Sequence, residues 1–377
     1  MPAVAVITEY NPFHFGHMHQ ISELKKHFDT IVCIMSGFAV QRGGIALFDK
    51  YSRARAAVDC GASLVVELPF PCSCASASDF ASAGVDIASR ICVDALAFGA
   101  EDDIQPLFEV CEMRQSGVLQ QKTKAYLDAG ARSYPTALCM AVKDTVGDHA
   151  AEMLRKPNNI LACEYIYYAR RNNLALFPLK RDMSFKSAGE IRALQEGDLF
   201  NELPQKSAYA LKSGNMLDKN RFDAFVFSRL YDRLPNITKD GVYAATDDAL
   251  HKLRSHIASC NDIERLALEC ADAGHTAAYY RRLICSVAFD ITPSMPKQTA
   301  FETFLLAADG RGRRHLSKIN RAGDIKIITK PADAADARTK KALDIEAAVS
   351  RICMCPPFDP YKARPYIKQE TVQEDMQ

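Results

Sequence analysis

The first 200 residues predict an α/β fold built on a parallel sheet, and the rest of the chain predicts an all-helical domain. Two observations carry the α/β part. Four runs of strand length, AVAVIT (3–8), TIVCIM (30–35), SLVVELP (63–69) and DALAFG (94–99), are rich in β-branched residues and almost free of charge, as strands buried on both faces are. Between them lie Gly16 to Lys26, Asp49 to Cys60 and Ser76 to Arg90, each with apolar positions at helical spacing, and Gly61 follows the second as a C-cap. Strand and helix alternating in this way give a parallel sheet joined by right-handed crossovers.

After Gly99 the text turns helical through IQPLFEVCEMRQ, TKAYLDAG and NNILACEYIYYARRNN (158–173), and LALFPLKR (174–181) then supplies a fifth strand. From about Asp198 it is helical again, as in NRFDAFVFSRLYDRL (220–234), DALHKLRSHIASC (248–260) and AAYYRRLICSVAF (277–289). The expected division is therefore 1–200 and 201–377, with the boundary around Pro204 and a loose polar tail after Tyr366. A chain of 377 residues is long enough for two such units.

Composition excludes several function classes. Lys and Arg number 47 against 46 Asp and Glu, so no global charge draws the chain to nucleic acid or to a membrane, and any such surface is local. The 13 cysteines form no pair with the two-residue spacing of zinc knuckles or redox motifs, which suits free thiols in a reducing cytoplasm. The first residues do not read as a secretion signal, and no apolar run approaches the roughly 20 residues of a membrane span. A soluble, unprocessed cytoplasmic protein is expected.

The most chemical stretch is TEYNPFHFGH (8–17), which directly follows the first strand. In an open parallel sheet, ligands bind beyond the carboxyl ends of the strands. A helix starting near Gly16 would point free backbone N–H groups into that crevice and favour an anion. Gly16 lets a base or ribose approach the backbone, and His14 and His17, three apart, can both face one phosphate. Two histidine donors there suit nucleotidyl transfer, in which charge builds on the α-phosphate oxygens. A helix cap followed by a turn is the plainer reading. Zinc held by His14, His17 and His19 fits less well than a phosphate, and no metal ligand set is assigned.

His14-Phe15-Gly16-His17 resembles the HxGH signature of the nucleotidyltransferase superfamily. EYNPFHFGH, MSGFAVQRGG (35–44), LVVELPF (64–70), FGAE (98–101), PNNIL (157–161) and SAGEIR (187–192) occur in the order found in the tRNA(Met) cytidine acetate ligase family, which the chain therefore resembles. The resemblance implies a Rossmann-like sheet and a two-step reaction. ATP, with Mg²⁺, and acetate would give acetyl-AMP and pyrophosphate, and the acetyl group would then pass to N4 of the wobble cytidine (position 34) of elongator tRNA(Met).

It also implies that the first loop binds ATP, through Ile7, Thr8, Glu9, Tyr10, Asn11, Pro12, Phe13, His14, Phe15, Gly16, His17, Met18, His19 and Gln20. His14 and His17 would be the catalytic pair, and Gly99, Asn158 and Arg181 would complete the nucleotide site. Each of these three also has a structural reading, as turn glycine, N-cap and solvated charge respectively. SAGEIR resembles the second phosphate motif, so Ser187 and Arg192 would touch the triphosphate, although Gly189 and Glu190 stand where the family has small or hydroxyl residues. The 35–44 stretch departs as well, lacking the usual Asn after Ser-Gly and Glu-Pro after Arg-Gly. Gln41, Arg42, Lys50 and Arg53 remain there, either to frame acetate or the cytidine or as a solvated basic face.

For the RNA, residues 311–330 hold seven Lys/Arg against one Asp, and YYRR (279–282) sets two aromatics beside two arginines. Arg281, Arg282, Arg313 and Arg314 are the expected RNA contacts, with a solvated face as the alternative. Lying in a separate domain, they are expected to leave acetate activation untouched. Two other functions are open from the sequence: a small-molecule adenylyltransferase acting on a phosphorylated coenzyme precursor, and a non-catalytic RNA-binding protein that senses a nucleotide.

Overall fold

The computed structural model describes residues 2–131, 133–297 and 302–369, apart from the side chain of residue 196. Five parallel strands, β1 (Ala3–Thr8), β2 (Thr30–Ser36), β3 (Leu64–Leu68), β4 (Ala95–Ala100) and β5 (Ala175–Lys180), lie in the order 3-2-1-4-5. Val4 pairs with Ile31 on one side and Ala95 on the other, so chain order reverses at β1. The crossovers are α1 (Phe15–Leu24), α2 (Lys50–Asp59) and α3 (Ala77–Arg90). Apolar clusters cover both faces of β1 to β4, which is why these strands carry no polar face, whereas β5 at the edge is half exposed.

Helix ends follow the sequence signals. Asp49 caps α2 by accepting from Tyr51 and Ser52 N–H, Ser76 caps α3, and Gly61 takes φ +117 just past the end of α2.

The segment 201–377 is not helical throughout. Glu302–Ala308 adds to the sheet antiparallel to β3, with Leu64 opposite Ala308, and Lys326–Ile328 and Tyr366–Ile367 both pair with it in parallel. Among the described residues the sheet therefore has eight strands. The helices between Lys219 and Ala288 form their own apolar core around Phe222, Val226, Leu266, Leu283 and Phe289, which also takes in Phe38, Ile45 and Phe70 from the loops after β2 and β3. The tail expected to be loose lies, from residue 370 on, outside the described residues. Among the described residues no helix is long and apolar enough to cross a membrane.

Candidate active site

A cleft of about 300 Å³ opens at the carboxyl ends of β1 and β4, on the reversal point where such sheets bind ligands. Its floor is the turn from β1 into α1. His14 is the N-cap of α1, and its Nδ1 accepts from Gly16 N–H at 3.1 Å, while His17 Nδ1 accepts from His14 N–H at 3.3 Å. The two rings lie with centroids 3.8 Å apart. A neutral imidazole whose Nδ1 accepts must carry its proton on Nε2. Both rings thus retain one N–H donor each.

This changes two expectations. Gly16 N–H is bound by His14 and is not free for an anion, so the donors of this helix start are the imidazoles. A Cβ on Gly16 would lie 3.0 Å from His14 Cε1 and 3.2 Å from its Nδ1, so the glycine makes room for the histidine cap before it makes room for a ligand.

Burial, with Arg181 and Arg192 adding repulsion, lowers the His14 pKa from 6.5 to about 4. His17 is also held well below its usual range, by burial first and then by His14 and Arg181. Both rings are therefore neutral at pH 7. Because unfolded His14 takes up its proton near 6.5 and folded His14 only near 4, its contribution to stability is complete above pH 6.5 and is lost as pH falls through that window. Acid unfolding followed by circular dichroism should begin earlier in the parent than in His14→Asn, whose side chain can cap the same helix without titrating.

The loop ahead of the histidines is clamped. Arg192 donates to Asn11 O at 2.6 Å, Ser207 Oγ to Phe13 O at 2.8 Å, Leu47 N–H to Asn11 Oδ1 at 2.8 Å, and Arg53 Nη1 to Glu9 O at 2.6 Å. Of the 7–20 stretch, Ile7 to Asn11, His14, Gly16, His17, His19 and Gln20 line the cleft. Pro12, Phe13, Phe15 and Met18 do not. Phe13 is fully buried and supports the ring of His17 from below at 5.6 Å.

Gly99, Asn158 and Arg181 meet on the opposite wall. A Cβ on Gly99 would sit 2.9 Å from Arg181 Cγ, so this glycine admits the arginine side chain. Asn158 follows the N-cap Lys156 and does not itself cap the Pro157–Arg171 helix. Its Nδ2 donates to Glu101 Oε1 at 2.5 Å, and Arg181 Nη1 lies 3.9 Å from the same oxygen. Glu101 and the buried Asn159, which accepts from Glu101 N–H at 3.1 Å, are site-forming residues that sequence reasoning missed. The FGAE and PNNIL segments contained both.

Ser187 caps the short helix Ala188–Arg192, and Glu190 turns back to accept from Ser187 N–H at 2.7 Å. The unusual carboxylate is thus a capping-box partner and is absent from the cleft wall, whereas Ser187, Gly189 and Arg192 are on it.

The basic residues of the 37–53 stretch divide. Gln41 and Arg42 line the cleft. Lys50 and Arg53 are buried, contrary to a role in framing a substrate. Lys50 Nζ lies 2.8 Å from Glu67 and 2.7 Å from Glu346, and Arg53 is spent on the carbonyls of Phe48, Glu9, Ser36 and Gly37.

The expected RNA contacts divide as well. Arg281 donates from Nε to Arg42 O at 3.1 Å and from Nη1 to Glu264 at 2.7 Å. Arg282 is largely buried, which lowers its pKa. Neither is a free surface cation. Arg313 and Arg314 are exposed on the helix Gly310–Ala322. That helix crosses the amino ends of the strands, through Asp309 N–H to Ser63 O, His315 Nε2 against Ile91 O and Lys318 Nζ to Cys92 O. It is one strand length, about 20 Å, from the histidines.

The HIGH Nucleotidyl Transferase family matches residues 1–364. Curated tRNA(Met) cytidine acetate ligases from Staphylococcus aureus strains JH9 and NCTC 8325 are 29% identical over 347 residues, covering 85% of this chain and 87% of theirs. Among solved structures, Thermotoga maritima TmcAL bound with alpha-thio ATP aligns with a TM-score of 0.87 at 21% identity, covering 98% of this chain and all of that one. The apo form of the same protein gives 0.86. At that identity the likeness establishes the fold.

Proposed function

The chain belongs to the HIGH nucleotidyl transferase family, and from that premise we propose that it is an ATP-dependent tRNA-modifying ligase that activates acetate as acetyl-AMP and passes the acetyl group to N4 of the wobble cytidine of elongator tRNA(Met). One observation carries the reading: two neutral imidazoles at the start of α1, their centroids 3.8 Å apart, each with its Nδ1 engaged and its Nε2–H left as a donor, in a cleft that Arg181 and Arg192 also line. The names of the curated relatives support the choice of substrates.

In the first step an acetate oxygen attacks the α-phosphorus and the bond to the β-phosphate oxygen breaks, releasing pyrophosphate. The Nε2–H groups of His14 and His17 donate to the α-phosphate oxygens as charge builds on them, and Arg181 and Arg192 offset the charge of the triphosphate. In the second step the cytidine amine attacks the acetyl carbonyl, AMP leaves with the bonding pair, and the amine loses a proton. Glu101 holds Asn158 and Arg181 in place for the nucleotide. Among the described residues no three His, Cys, Asp or Glu side chains gather to hold a metal. Mg²⁺ binds by preference to phosphate oxygens and, carried by the triphosphate of ATP, would supply further neutralisation of its charge. The reaction belongs in the cytoplasm, where tRNA is available.

The deciding experiment is ATP–pyrophosphate exchange with acetate, with other short acids and with phosphopantetheine. Exchange dependent on acetate is expected. AMP transfer only to the phosphorylated precursor would replace this reading with that of a small-molecule adenylyltransferase.

Arg313 and Arg314 are the residues we assign to the tRNA backbone, 20 Å being a distance a folded RNA spans readily. Arg313→Ala with Arg314→Ala should flatten the slope of log affinity against log salt by about 0.7–0.9 per lost contact and leave acetyl-AMP formation intact. An unaltered slope in filter-binding titrations would make this face merely solvated.

A further inference from the structure

The loop after β2 is stretched between two parts of the molecule. On the cleft side, Gln41 N–H donates to Glu9 Oε1 at 2.8 Å. On the far side the loop is seated on the helix Ala277–Ala288. Arg281 Nε donates to the Arg42 carbonyl at 3.1 Å while Glu264 fixes the other end of the same guanidinium. Gly43, at φ +82, presses its backbone so closely on that helix that a Cβ there would lie 2.5 Å from Arg282 N and 2.7 Å from Arg281 C. Within the loop, Val40 N–H bonds Gly44 O and Gly43 N–H bonds Val40 O, each at 3.0 Å. Its flanks, Phe38, Ala39 and Ile45, are part of the apolar core of the helical unit, with Phe38 against both Phe70 and Phe289.

We propose that Arg281 is a positioning residue for the cleft: by holding the Arg42 carbonyl from behind, it fixes the backbone that carries the Gln41 and Arg42 side chains into the wall where the anionic substrates bind. The proposal rests on reading the cleft as the ATP and acetate site. It replaces the expectation that Arg281 serves RNA alone and that the helical unit is indifferent to activation. An arginine suits the task because its planar fork meets a carbonyl and a carboxylate at fixed angles. The bond is made to a main-chain atom, so the identity of the side chain at position 42 is left free for substrate contact.

The test uses full-length Arg281→Ala and, as an independent lever on the same loop, Gly43→Ala. Two readouts are taken on protein whose circular dichroism and melting temperature match the parent: amide hydrogen exchange over 38–45, and kcat and KM for ATP and acetate in pyrophosphate exchange. The amides of Val40 and Gly43 should exchange about tenfold faster in both variants, and KM for ATP or acetate should rise about tenfold with kcat changed less than threefold. Unchanged exchange at these amides, or a fall in kcat with both KM values intact, overturns the proposal. Arg281→Lys, which keeps one donor, carries the same test should the alanine variant fail to fold. The amide readout does not depend on the reaction. A parent protein with no acetate-dependent exchange would therefore fail the functional reading while the positioning of the loop is still judged.

Discussion

In a folded His17→Ala protein, acetate-dependent ATP–pyrophosphate exchange is expected to fall about 10²–10³-fold, or roughly 3–4 kcal/mol of transition-state stabilisation, with a much smaller change in ATP affinity. The loss concentrates in the rate because the Nε2–H donor meets its strongest acceptor only when charge has built on the α-phosphate oxygens. The substitution removes a second thing, since His17 Nδ1 also accepts from His14 N–H, and an uncapped helix start costs about 1 kcal/mol. His17→Gln separates the two effects. A glutamine three residues after the N-cap can reach back to the same N–H, so stability should return, while its amide is placed differently from Nε2 and the rate should remain low. Unchanged acetyl-AMP formation in His17→Ala, or full recovery of rate with stability in His17→Gln, would reduce His17 to a cap.

The parallel sheet was legible because strands buried on both faces show as apolar runs with little charge, as β1 to β4 do, while the half-exposed edge strand β5 still reads as a short apolar run. Glu302–Ala308 escaped because it stands alone among helices. Its sequence ETFLLAA fits a buried helix turn as well as a strand, and what decides is its antiparallel fit along the edge of β3, a partner more than 230 residues away. The candidate cleft was legible where its lining coincides with strand ends: His14, Gly16 and His17 after β1, Gly99 at the end of β4, Arg181 after β5. It was illegible where a charged side chain is consumed inside the protein. Lys50 and Arg53 fall in DKYSRARA, which has the composition of a solvated face, yet α2 is covered by the 205–212 helix, by Phe304 and by Glu346. Arg281, held between the Arg42 carbonyl and Glu264, follows the same rule. A cation signals solvent or substrate in a sequence, and only its tertiary partners show that a carbonyl or carboxylate has already taken it.

Lys50→Met should lower stability by about 3–5 kcal/mol near pH 7–8, the range expected when one partner of a buried ion cluster is removed. Lys50 Nζ stands between Glu67 Oε2 and Glu346 Oε2, and all three side chains are buried. Methionine fills nearly the same volume, so the loss is electrostatic: two carboxylates face each other in an apolar setting with no cation between them. Burial already raises the Glu346 pKa to about 7, with Lys50 opposing and Glu67 adding to the rise. Without Lys50 it rises further. A carboxyl whose folded pKa exceeds its unfolded value of about 4.5 gives stability that is complete below 4.5 and is lost as pH climbs through the folded pKa. The deficit of Lys50→Met relative to the parent should therefore be small near pH 5 and grow toward pH 8. Urea unfolding followed by circular dichroism at pH 5, 6, 7 and 8 measures it, the chain having no tryptophan to report by fluorescence. Adding Glu67→Gln and Glu346→Gln to Lys50→Met should remove the pH dependence, because no buried charge then remains at the cluster. The cleft would feel the single change through one further link. The Glu67 carboxylate lies against Gly37, where a Cβ would come within 2.0 Å of Oε1, and the Gly37 carbonyl accepts from Arg53, which in turn holds Glu9. A deficit that is the same at every pH, or one below about 1 kcal/mol throughout, would mean that water reaches the two carboxylates and that Lys50 is no more than a surface-like pair.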